Sequence, residues 1–226
     1  AGLDLIFILA GMGGVTGSSI SPIVAKTLSD LSILTLGCAI TPFNFEGHRC
    51  GQIALSGTRA LGNCVTTILP IANEIVAQAE GENALAASVL DQIDLSFEQV
   101  YRNITIPAAE TGLIGVDFED VRVVLNSGGR SAFGFGSATG MDGAEIAIHK
   151  AIASPLLGQD QLSVAAGLLV SIEADRNALK MHRINRVMNT LKKFTSPDAD
   201  IIFSATCTGQ ADRFSVSLLA TGLPYV

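Results

Sequence analysis

The chain has 226 residues, 48% hydrophobic and 15% charged, which is enough apolar content to fill the core of one large domain or two modest ones. Its net charge of −7 and pI near 4.9 argue against nucleic acid and anionic membranes as main partners, and with no Trp and two Tyr it lacks an aromatic platform for single strands. No apolar run has transmembrane length, so direct membrane insertion is excluded; the first ten residues lack the basic segment of a signal peptide; and Cys38, Cys50, Cys64 and Cys207, without C-x-x-C spacing and with only three scattered histidines, predict reduced cytosolic thiols and no metal site.

Residues 3–9 form an unbroken apolar run, as a buried parallel strand does. Ala-Gly-Met-Gly-Gly-Val-Thr-Gly-Ser-Ser follows at 10–19, and Pro22 then opens apolar spacing of three and four over 22–31, which predicts a helix. Glycine permits φ > 0 and close backbone approach, and a helix N-terminus offers unpaired N–H groups, so strand, Gly-rich turn and helix together predict half of an anion site. Residues 33–40 predict a second buried strand, 41–47 a loop with a Pro start and a Gly stop, 49–62 a helix and 65–71 a third strand. Strands alternating with helices imply a parallel doubly wound sheet, whose ligands bind outside the carboxyl ends of the strands. The loops at 11–19, 41–48 and 70–75 fall at those ends and are expected to converge.

From about 83 to 106, Leu85, Val89, Ile93, Phe97, Val100 and Ile104 recur at helical spacing, predicting a long helix ended by Pro107 and the segment 108–112. A domain boundary is expected there, giving 1–107 and 108–226. The second half reads as α+β: a helix over 117–126 with acids in its first turn, a Gly-rich strand over 131–139, a helix over 143–153, a strand over 165–173, a helix over 179–194, and strands over 200–206 and 214–221. A mixed sheet with helices on one side is expected.

Each constellation has a plain structural alternative. The loop 13–17 lacks the Gly-Lys-Ser/Thr of a Walker motif, and Gly37-Cys38 stands where a dinucleotide fold needs an acid, so a nicotinamide-dependent oxidoreductase rests on the strand–loop–helix pattern alone. Such a turn also serves tight packing. Asp117 and Asp120, three apart at a helix start, are either capping groups or a carboxylate pair that activates water against a phosphate. Asp94 is either a solvated surface acid or an acceptor for the N1–H and N2–H₂ edge of guanine, with Asn73 beside it as a second candidate.

The order of Gly-Met-Gly-Gly-Val-Thr-Gly-Ser, Thr-Pro-Phe-Asn-Phe-Glu-Gly, a long helix and Val-Asp-Phe-Glu-Asp-Val-Arg resembles the FtsZ family, the tubulin-like GTPases of bacterial cell division. Ile-Ala-Ser-Pro-Leu-Leu at 152–157 and Ala-Thr-Gly-Leu at 220–223 extend the resemblance over nearly the whole chain. It implies an α/β fold: the C-terminal half of a Rossmann-like tubulin/FtsZ GTPase domain over 1–107, including the central helix, then an α+β C-terminal domain over 108–226. It places Gly13, Gly14, Val15, Thr16, Gly17, Ser18 and Ser19 on the phosphate-cradling signature loop, Glu46 at the ribose with Arg49 near the loop's expected Arg, Asn73 and Asp94 at the guanine, and Asp117 and Asp120 on the loop that enters a neighbouring subunit's site to promote hydrolysis.

The implied ligands are GTP and GDP with Mg²⁺, and the implied partners are further copies of the chain or an intact FtsZ-like homologue, in the cytoplasm at the division site. The sequence departs from the family pattern at Val15 and Ser19, which replace glycines, at Cys50, which stands at the loop's Arg position, and at Gly115, which replaces an Asn. The family's other phosphate-binding loops lie upstream of Ala1, so this chain alone is expected to bind GTP weakly and hydrolyse little. A catalytically impaired assembly or decoy module that caps filaments is the alternative.

Overall fold

Parallel strands covered on both faces need apolar side chains in both directions, and the first three apolar runs meet that need. In the computed structural model they form β1 (Leu5–Gly11), β2 (Leu34–Thr41) and β3 (Thr67–Ala72), parallel neighbours in that order. The described residues are 3–109, 113–208 and 212–225, without the side chains of 108 and 109. They form two compact units, one of Ala1–Leu95, Leu125–Ser131 and Pro224–Val226, the other of Ser96–Val124 and Ala132–Leu223.

In the first unit, α1 (Ser21–Asp30) and α2 (His48–Gly62) connect the strands. Ala10, Ala25, Ala39, Ala54, Leu61 and Ile68 form a core of mostly small side chains, so helix and sheet backbones approach closely. The start of the fourth strand joins this sheet through Arg130 beside Ile68. After β3 the chain enters α3 (Asn73–Glu80) directly, where a loop over 70–75 was expected. The eight residues of α3 are too few to show a period, and Gly81 stops them at φ +95°.

The long apolar period becomes α4 (Ala86–Ala109), which keeps Pro107 inside its last turn instead of ending there. Of the expected terminating segment, residues 110–112 lie outside the described residues. The second unit continues with α5 (Phe118–Asn126), β4 (Arg130–Thr139), α6 (Gly143–Ile152), the short α7 (Gln159–Leu162), β5 (Gly167–Ala174), α8 (Met181–Leu191), β6 (Asp200–Cys207) and β7 (Arg213–Leu223). Its strand order is β4-β7-β5-β6, with β5 parallel to β6 and antiparallel to β7, so the sheet is mixed as expected. The glycines of β4 allow α6 to lie against it: a Cβ at Gly134 would strike the Ala151 carbonyl oxygen, and one at Gly136 that of Ala147. Ile148, Leu168, Val170, Val187, Phe214 and Leu218 fill the core between these elements.

Candidate functional site

The register of the parallel strands brings the loops together. Gly11 pairs with Ile40 and Thr41 with Ala72, so the segments after all three strands leave the sheet at one edge. The first, after β1, is tied down when the Met12 N–H donates to the Ile40 carbonyl at 2.7 Å. Gly13 then turns at φ +102°, a conformation that an L side chain rarely adopts. Its N–H donates to the Ser18 hydroxyl at 2.9 Å, and its missing side chain leaves room for the Cys50 Sγ and Pro42 of the next loop.

Val15, by contrast, is an ordinary right-handed helical residue at φ −62° and ψ −49°, with 82% of its surface exposed. The glycine usual at that point in the family is therefore not required by this backbone. A π-helical turn, Thr16–Ile20, leads into α1, and Gly17 lies so close to Gly11 that a Cβ there would strike the Gly11 carbonyl. Ser18 is buried against Gly57 of α2. The first turn of such a helix has N–H groups without intrahelical acceptors and the positive end of a dipole, so Gly14, Val15, Thr16 and Gly17 present a surface suited to phosphate.

The second loop, after β2, is built by acids. Asn44–Glu46 form one 3₁₀ turn in which Glu46 Oε1 accepts the Phe43 N–H at 2.8 Å. Glu74 of α3 holds the same turn from outside: its Oε2 accepts the Asn44 N–H at 3.1 Å, while Gln78 Nε2 donates to its Oε1 at 3.4 Å. The Phe43 and Phe45 rings stack at 5.0 Å. Beside them opens a cavity of about 940 Å³, lined by Phe43, Phe45, Glu46, Glu74, Val89 and Leu90 among others. Glu82 also lines it, and among the described residues no Lys or Arg does.

The remaining site residues expected from the sequence are placed as follows. Arg49 is exposed in the first turn of α2. Asn73 opens α3, is 9% exposed, and its Oδ1 has no hydrogen-bond partner. Asp94 is exposed on α4, one turn beyond Leu90; neither it nor Asn73 lines the cavity. Asp117 and Asp120 are exposed in the second unit. The Asp117 carbonyl accepts the Asp120 and Val121 N–H groups at 3.0 and 3.3 Å, and its Oδ1 accepts the Glu119 N–H at 3.4 Å, so Asp117 caps α5. Arg122 braces that turn, 3.3 Å from the Glu119 carboxylate and over the Phe118 ring.

Among the polar lining residues, Glu74, Gln78 and Glu82 had no place in the sequence reading. Glu74 was hidden because its segment read as loop; its signal is an acid in the first turn of a helix that follows a strand. Among the described residues no three His, Cys, Asp or Glu side chains converge on a metal position, and no helix is long and apolar enough to cross a membrane.

Residues 1–80 match the GTPase domain of the Tubulin/FtsZ family, and residues 129–224 match the C-terminal domain of the FtsZ family. The cell division protein FtsZ of Aquifex aeolicus is 34% identical over 222 residues, covering 98% of this chain and 60% of that protein. The chain thus spans less than two thirds of that relative's length. Two solved structures, both of FtsZ from M. jannaschii, share the fold over 97% of this chain. An empty FtsZ dimer superposes with a TM-score of 0.85 at 29% identity over 63% of its length, and a point mutant with 0.88 at 28% over 66%. By sequence and by fold, this chain is an FtsZ-like protein of the tubulin/FtsZ GTPase family.

Proposed function

We propose that the protein binds GTP and GDP at the loops of its first unit, assembles head to tail with copies of itself or with an intact FtsZ-like homologue, and lends Asp117 and Asp120 to the nucleotide held by the next subunit. One observation carries this reading: two adjoining loops divide opposite chemistries between them. The helix start at 14–17 presents N–H groups, which suit phosphate oxygens. Among the described residues, the charged side chains lining the cavity beside Phe43 and Phe45 are all acids, which suit the hydroxyls of a ribose and the ring N–H groups of a base. The Oδ1 of Asn73 supplies a buried acceptor that a ligand would satisfy, and Asp94 offers a carboxylate for the donor edge of guanine.

In this reading residues 1–107 form part of the GTP-binding domain and 108–226 the C-terminal domain, and the protein works in the cytoplasm at the division site. The carboxylates of Asp117 and Asp120 orient and polarise a water, whose oxygen bonds to the γ-phosphorus as the bond to the β-phosphate oxygen breaks, leaving GDP and phosphate. The loop offers hydroxyls and N–H groups rather than a carboxylate cage, which fits a Mg²⁺ held chiefly by the phosphates and water; bound there, it would neutralise charge developing on them. The passive, filament-capping alternative gains no support at Val15, whose backbone is relaxed.

The experiment is phosphate release from GTP by intact Aquifex aeolicus FtsZ with increasing amounts of this chain. Stimulation is expected, and Asp117→Ala or Asp120→Ala should lower it by roughly 10²-fold, the scale of a lost acid–base group. Equal turnover with wild type and with both variants would leave a passive assembly module.

A further inference from the structure

A second cavity of the first unit, about 610 Å³, runs between α2 and β3 and is separate from the acid-lined cavity: Asn44 lines this one, while the Phe43, Phe45 and Glu46 side of that turn lines the other. Gly51, Ala54, Leu55, Thr58, Arg59 and Asn63 recur at helical spacing and form one wall. Pro42, Ile68 and Pro70 make an apolar floor from β2's following loop and from β3. At the last turn of α2 the character changes. Arg59 and Asn63 stand there, and Tyr225 joins them by donating its hydroxyl to the Gly62 carbonyl at 3.2 Å. Arg130, paired in register with Ile68, closes the floor.

Among the described residues the lining therefore carries two guanidinium groups and no carboxylate, in a chain whose net charge is −7. A cavity of this size with an apolar body and a cationic end has the composition of a small-molecule site. We infer that this cavity binds a small organic anion, with an apolar body against Leu55, Ile68 and Pro70 and a single carboxylate- or sulfonate-like head at Arg59 and Arg130. The partial negative charge at the end of α2 opposes an anion, but the full positive charge of Arg59 in that last turn outweighs it. The Thr58 hydroxyl oxygen is buried without a hydrogen-bond partner, and a ligand head at this end would supply one. Burial holds the Arg130 guanidinium below the usual arginine range, a sign of weakened hydration and so of a stronger pull on an anion. This inference does not depend on nucleotide binding, because none of the residues assigned to nucleotide lines the cavity.

The probe is 1-anilinonaphthalene-8-sulfonate, an apolar double-ring anion, titrated into the chain with ¹³C-labelled tyrosine rings observed by NMR. The chain has two tyrosines, Tyr101 and Tyr225, so two ring signals report. The Tyr225 ring should shift saturably while Tyr101 stays in place. Arg130→Met should raise the dissociation constant by roughly tenfold, as should Arg59→Met at an exposed position, and N-phenyl-1-naphthylamine, the same rings without the sulfonate, should bind about tenfold more weakly than the anion. A Tyr225 signal that does not move overturns the inference, whatever the dye does elsewhere. So does an affinity for the dye that survives Arg59→Met within about twofold, since one lost charge–charge contact should exceed that.

Discussion

Gly13→Ala tests the turn on which the phosphate loop depends. Two costs follow from the structure. At φ +102° an alanine sits in a region that L residues rarely occupy, worth about 1–2 kcal/mol. Its Cβ would also lie 2.5 Å from the Cys50 Sγ, forcing a repacking worth about 1–2 kcal/mol. The Cys50 carbonyl at 3.3 Å and Pro42 Cγ at 3.4 Å add little, because small shifts accommodate them. The sum, about 2–4 kcal/mol, is a large part of the net stability of an ordinary domain without abolishing folding. Urea denaturation followed by circular dichroism measures it, with an unchanged slope showing that the same surface is exposed. A double-mutant cycle separates the terms: in a Cys50→Ala background the sulfur is gone, and Gly13→Ala should cost only about 1–2 kcal/mol. A loss below about 0.5 kcal/mol in the wild-type background would refute the required left-handed turn, and strict additivity of the two substitutions would refute the clash with Cys50.

Burial pushes the Cys38 thiol up to about 12, whereas an unfolded thiol titrates near 8.5. Between those values the unfolded chain loses a proton that the folded chain keeps, so stability is intact below about pH 8.5 and falls as pH rises, by about 1 kcal/mol per pH unit. Denaturant midpoints at pH 8 to 11 should show this slope in wild type and lose most of it in Cys38→Ala; equal slopes would place the alkaline sensitivity elsewhere. In the second unit, the fully buried Thr221 donates to the Val124 carbonyl at 2.7 Å. Thr221→Val should therefore cost about 1–3 kcal/mol through an unsatisfied carbonyl, and Thr221→Ser should recover much of it, both read from thermal unfolding.

The strands were legible because a parallel sheet demands unbroken apolar runs, and 3–9, 33–40 and 65–71 fall within two residues of β1, β2 and the start of β3. The mixed sheet of the second unit was legible for the same reason, as was the Gly-rich strand 131–139, whose glycines face the backbone of α6. What the sequence hid was set by contacts distant along the chain. The short α3 has too few residues for a period, so Glu74 looked like a loop acid, although it grips Asn44 thirty residues earlier in the chain. Val15 looked like a poor replacement for glycine because the sequence does not show which loop position carries the positive φ; the backbone puts that burden on Gly13. Pro107 looked like a terminator, yet one lost N–H near a helix end is tolerated within the last turn.

Capping and ligand binding, weighed against each other in the sequence, can coexist on one carboxylate. Glu46 shows how. Its Oε1 accepts the Phe43 N–H, so one oxygen holds the 3₁₀ turn, and a carboxylate offers further lone pairs on its other oxygen, here in a residue that lines the 940 Å³ cavity. Replacement by glutamine separates the two duties. The amide oxygen of Glu46→Gln still accepts the Phe43 N–H, so stability should change by less than about 0.5 kcal/mol, but the charge that strengthens a hydrogen bond from a ribose hydroxyl is lost, and GDP should bind roughly tenfold more weakly. Glu46→Ala loses both duties, adding a capping loss of about 1 kcal/mol. Ligand-observed NMR with GDP reads the binding, and amide exchange at Phe43 reports the turn. If Glu46→Gln bound GDP as wild type does while Glu46→Ala lost both binding and amide protection, Glu46 would act through the shape of the turn alone, and the ribose contact would have to come from another acid of the cavity, with Glu74 the first to test.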